Sequence, residues 1–93
     1  MKSKTDDLRE KVMAAISTYN RYHGVEAHAR LLEMQEDLII VEISGSFCAT
    51  CAPEEYPIDL LCEFMDQLGR DVVLESVEID NEGGRAIAKY RVL

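Results

Sequence analysis

The chain has 93 residues, 47% apolar and 30% charged, which fits one globular domain, residues 1–93, built round a single core. Its net charge of −8, from 18 acidic against 10 basic side chains, argues against nucleic acid and against anionic membrane surfaces as partners. Both are bound through cations that replace counterions. Met1–Asp7 lacks the apolar segment of an export signal, and no run approaches the roughly 18 apolar residues of a membrane span. A cytoplasmic location is therefore expected. Three cysteines without such a signal point to metal or redox chemistry rather than to a disulfide framework.

Residues 1–4 are expected to be unstructured. Leu8, Val12, Ala15, Ile16 and Tyr19 recur at helical spacing and predict an amphipathic helix over residues 5–22. Thr5 or Ser3 can cap it, Asp6, Asp7 and Glu10 suit its positive end, and Gly24 follows as a stop. Tyr22 and His23 fall at its last turn. Ala27, Ala29 and Leu31 then alternate with His28, Arg30 and Leu32 as a strand. Gln35-Glu36-Asp37 is a short polar connection to a second strand, Leu38–Ser44. Opposing Ala29 to Ile43 and Leu31 to Val41 on the core side places Arg30 against Glu42 and His28 against Ser44 on the other.

Pro53 or Pro57 suits the first turn of a second helix, where a missing N–H costs little. Ile58, Leu61, Met65 and Leu68 form its predicted apolar stripe, Phe64 widens it and Gly69 closes it. A third strand over Val72–Asp80 and the turn Asn81-Glu82-Gly83-Gly84 lead to a fourth, Arg85–Leu93. The fold class expected is α+β: a two-layer sandwich in the order α-β-β-α-β-β, with two helices on one face of a four-stranded, mainly antiparallel sheet.

The sharpest chemical signal is Cys48-Ala49-Thr50-Cys51, between the second strand and the second helix. Two intervening residues let both sulfurs converge on one ion or one disulfide, and a helix start favours thiolate. Metal or cluster ligation is the leading reading, dithiol redox chemistry the next, and idle or packed thiols the bland one. A closed zinc site takes four ligands, so two more must come from His28, His23, Cys62 or a second copy of the chain. Each of these has a plainer explanation. Cys62 borders the predicted stripe and reads first as a small buried hydrophobe. His28 reads first as an outward strand residue, and His23 as a partner of unpaired helix carbonyls. Glu54, Glu55 and Asp59 compensate the helix dipole and make the surroundings of the thiols more negative. No phosphate-binding loop or nucleophile–base signature is present, so a stand-alone catalyst is not expected.

His23-Gly24-Val25-Glu26, the hairpin, and Ile43-Ser44-Gly45-Ser46-Phe47-Cys48-Ala49-Thr50-Cys51-Ala52-Pro53 before a helix resemble the C-terminal domain of NifU-type iron–sulfur scaffold proteins. The resemblance spans about residues 8–80, its motifs only about fifteen of them. It implies that Cys48 and Cys51 bind a labile cluster, usually across a homodimer, and pass it to an acceptor protein. It departs from the family pattern in four places. Gly24 stands alone where paired glycines occur, two residues separate Gly45 from Cys48, Ala52 separates Cys51 from Pro53, and Glu54-Glu55-Tyr56 replace a polar Ser/Thr cluster at the helix start. Zinc is the alternative cargo.

A second resemblance is to thioredoxins, with Phe47, Cys48 and Cys51 between a strand and a helix that leads to Val72–Asp80. It would make Cys48 the attacking and Cys51 the resolving thiol. The absence of any proline after Pro57, the early end of the chain and the hairpin before the motif oppose it. A third reading is an acidic interaction module without chemistry, whose outer sheet face, with Leu32, Ile40 and Ile87, covers itself by dimerisation.

Overall fold

The computed structural model describes residues 4–23, 27–45, 55–80 and 84–93. Helix α1 runs over Lys4–His23, strand β1 over His28–Gln35 and β2 over Leu38–Ser44. Helix α2 follows at Glu55–Leu68, then β3 at Val72–Asp80 and β4 at Arg85–Val92. The order is α-β-β-α-β-β, an α+β fold. The strands lie in one sheet in the order β1-β2-β4-β3, with all three pairings antiparallel.

Alternation along the two central strands decides where the helices go. In β2, Ile39, Val41 and Ile43 are buried while their neighbours are half-exposed; in β4, Ala86, Ala88, Tyr90 and Val92 are buried in the same way. Among the described residues one face is covered, and both helices pack on that side. Helix α1 contributes Val12, Ala15, Ile16 and Tyr19 to the core, and α2 contributes Leu60, Phe64 and Leu68. Alanines 29, 86 and 88 on the same face leave room for the two helices and for the rings of Phe64 and Tyr90. No charged or polar residue is buried among the described residues.

The first hairpin has the expected register: Ala29 faces Ile43, Leu31 faces Val41, Arg30 faces Glu42 and His28 faces Ser44. Beyond Leu31 a bulge shifts the pairing, so Glu33 opposes Ile40 and Gln35 opposes Leu38. Gln35 therefore belongs to the strand, and the connection is Glu36-Asp37 alone. Glu36 takes a φ of 45°, which a side chain resists and glycine does not. Glu36→Gly is expected to stabilise the chain by about 0.5–1 kcal/mol, the relief of backbone strain exceeding the entropy glycine adds to the unfolded state. A urea midpoint that falls instead would show the turn to be unstrained.

Helix α2 corrects the predicted stripe. Leu60, Phe64 and Leu68, with Pro57 behind them, point into the core, while Ile58 is 48% exposed and Leu61 and Met65 are only partly buried. Pro57 lies in the first turn, as one of the two alternatives expected; Pro53 lies outside the described residues. Gly69 ends the helix at a φ of 63°, its N–H donating to the Met65 carbonyl at 3.0 Å. Helix α1 begins at Lys4, so Thr5 is helical rather than capping; Ser3 and Gly24 lie outside the described residues, as do residues 81–83 of the last turn.

Candidate functional site

Cys48 and Cys51 lie outside the described residues, together with Phe47 and Glu54; the segment that carries them joins β2 to α2. The segment leaves the end of β2 and enters the start of α2. Gly45 donates its N–H to the Gly84 carbonyl at 3.1 Å, tying the end of β2 to the start of β4. His28, Ser44, Arg85 and Asp80 form one row across this end of the sheet. His28 is exposed at the start of β1. The hairpin thus brings it to the strand end from which the cysteine segment departs.

His23 is engaged otherwise. At the end of α1 its Nδ1 lies 3.0 Å from the Tyr19 carbonyl oxygen, as expected for a residue of a last turn. Its Nε2 lies 3.3 Å from Asp59 Oδ2 on α2, a contact that depends on how the helices pack. Both ring nitrogens thus face oxygen atoms of the chain itself. Tyr19 stacks on the same ring at 3.9 Å between centroids, and Tyr56 meets it edge-on at 5.7 Å.

Cys62 is exposed, not buried at the stripe as expected. It shares the outward side of α2 with Ile58, four residues earlier, and the rotation that buries Leu60 and Phe64 turns both away. It also lies seven residues past the helix start, about 10 Å along the axis. Neither it nor His23 converges with His28, and no group of three metal-ligating side chains occurs among the described residues.

Two buried tyrosines lie between the helices and the sheet. Tyr90 donates its hydroxyl to the Pro57 carbonyl at 2.7 Å, fixing the start of α2 on β4, and packs edge-on against Phe64 at 4.9 Å. The Tyr19 hydroxyl is buried without a hydrogen-bond partner among the described residues. Burial first, then the negative charge of Asp59 and the nearby Tyr56, push the Tyr19 phenol far above its ordinary value; burial and Tyr19 do the same to Tyr90.

Sequence reasoning missed Asn20. Its side chain accepts the Ala29 N–H at 2.7 Å and donates to the Ala29 carbonyl at 3.0 Å, clamping α1 to the edge of β1. A signal existed: an amide next to Tyr19 in the helix, at a position where Asn is a poor helix former and seeks backbone partners.

The outer face of the sheet is a mosaic. Arg30 and Arg85 share Glu42, at 3.4 and 3.5 Å, and Arg91 pairs with Asp37 at 3.0 Å and with Glu75. Ile40 and Ile87 lie half-buried between them, and Leu32 is exposed at the bulge. No helix among the described residues is long and apolar enough to cross a membrane. No family model, curated protein or solved structure matches the chain.

Proposed function

We propose that this protein holds a metal ion or iron–sulfur cluster through Cys48 and Cys51 and hands it to an acceptor protein, as its NifU-like motif implies. The observation that supports this reading most is one of position. Both thiols belong to the segment between β2 and α2 of an α-β-β-α-β-β chain, and the wider iron–sulfur-assembly-like superfamily that the motif resembles shares this helix–hairpin–helix–hairpin order. The donor set fits a transferable cargo better than a structural ion. One chain supplies two thiols, with His28 at the same sheet end, and His23 and Cys62 are committed elsewhere or turned away. A set short of four leaves a position open for exchange or for a second copy of the chain.

The topology counts against the thioredoxin resemblance. The strands before and after α2 are not neighbours, because β4 lies between β2 and β3. The adjacent parallel pair of a simple βαβ unit does not form.

The test is anaerobic reconstitution with iron and sulfide of the wild type and of Cys48→Ser and Cys51→Ser, with zinc measured alongside. Visible charge-transfer absorption is expected in the wild type and its loss in either variant, with the far-ultraviolet circular dichroism unchanged. Stoichiometric zinc without iron, and unfolding of Cys51→Ser, would make the site structural. Binding of neither metal would overturn the proposal and leave a dithiol titration as the next measurement.

A further inference from the structure

We infer that the groove between α1 and the free edge of β1 docks an extended acidic segment of a partner protein, an interaction independent of the cysteines. The sheet has two edges, β1 and β3. Open edges invite pairing and are normally blunted by charge, bulges or cover. Edge β3 carries Glu75, Glu78 and Asp80 and a register shift beyond Leu74, so it repels another acidic strand.

Edge β1 is built differently. At Ala29 the Asn20 amide takes the place of a neighbouring strand, satisfying both backbone groups. The two-residue period turns the N–H and carbonyl of Leu31 the same way, away from β2. Asn20 stops short of them. Beside Leu31 a groove of ≈ 400 Å³ opens, lined by Arg9, Met13 and Ser17 of α1 and by His28 and Arg30 of β1. In a chain of net charge −8 this lining contains two arginines, a histidine and no carboxylate. Met13 supplies an apolar wall and is 47% exposed.

The chemistry of an occupant follows from strand geometry. A segment pairing with Leu31 sends consecutive side chains to opposite sides. One meets α1 at Arg9 and Met13, the next meets Arg30 on the outer face. Arg30 shares Glu42 with Arg85 and keeps its side chain 66% exposed, so it can accept a second carboxylate. Two adjacent acidic residues flanked by β-branched ones fit this arrangement, and basic segments are repelled.

The experiment titrates the isotope-labelled full chain with the probe acetyl-Thr-Val-Glu-Asp-Val-Thr-amide, followed by amide chemical shifts, against a control with two lysines in place of Glu-Asp. Shifts are expected at Ser17, Arg30 and Leu31 with the acidic probe and not with the control. Arg9→Glu and Arg30→Glu, both surface changes whose spectra report the intact fold, are each expected to weaken binding about tenfold or more. The inference is overturned by equal binding of the lysine control, by shifts confined to β3 or to the outer face, or by none up to roughly 1 mM probe. It is equally overturned if sedimentation shows a second copy of the chain in the groove that the probe cannot displace.

Discussion

Phe64→Ala is expected to destabilise the protein by about 3–5 kcal/mol, whereas Ile58→Ala, six residues earlier on the same helix, stays within about 0.5 kcal/mol. Phe64 is completely buried, packs edge-on against Tyr90, and belongs to the cluster that joins both helices to the sheet. Truncation removes the ring's transfer free energy and leaves a cavity whose walls, α2 and β4, are held in place by the Tyr90–Pro57 hydrogen bond. A domain of this size has about 5–15 kcal/mol in total, so the loss is a large fraction of it. Urea unfolding checks it: with a slope of about 2 kcal/mol per molar, the midpoint falls by about 2 M. Equal costs for the two variants would mean that α2 is rotated about its axis and that the stripe through Ile58 is the buried one.

That choice of stripe marks where the sequence stops being informative. Helix α2 has apolar residues at 58, 60, 61, 64, 65 and 68, enough for two overlapping stripes about 100° apart. Periodicity places the helix and leaves its rotation open. What selects Leu60 and Phe64 is the fit to Tyr90 and to α1, a tertiary event with no local trace. Cys62 was misplaced for the same reason.

The first hairpin was legible because its signal is local. Alternation of period two admits one register that puts Ala29, Leu31, Val41 and Ile43 on the core side together, and a slip by one residue would turn all of them outward. The bulge after Leu31 was not legible, since Leu32 continues an apolar run that suits either face. Around the candidate site, the bond of His23 to a carbonyl of its own helix was readable from its place in the last turn. Its contact with Asp59, thirty-six residues away, was not. Asn20 and the groove at Arg9 and Arg30 likewise arise only when α1 lies along β1.

The second large effect is alkaline unfolding that releases two protons. Tyr19 and Tyr90 are both fully buried, and burial pushes both phenols well above the value of about 10 that they regain in the unfolded chain. A group held neutral in this way contributes stability that is fully present below about pH 10. It is lost progressively as pH rises from there toward the folded value, because the unfolded chain binds fewer protons. Two such groups give a fall of about 2.7 kcal/mol per pH unit above pH 10, steep enough to unfold the domain within a few units. Stopped-flow tyrosinate absorbance, compared with circular dichroism, separates ionisation before unfolding from ionisation caused by it. Tyr19→Phe and Tyr90→Phe each halve the slope, yet they have opposite effects at neutral pH. Loss of the unpartnered Tyr19 hydroxyl raises stability by about 1 kcal/mol, because a buried polar atom without a hydrogen bond is removed. Loss of the Tyr90 hydroxyl lowers it by about 0.5–1.5 kcal/mol, because the Pro57 carbonyl loses the donor that fixes the start of α2. A Tyr19→Phe protein that keeps the two-proton slope would show this hydroxyl to be hydrated. Its stacking on His23 would then be a surface contact rather than part of the core.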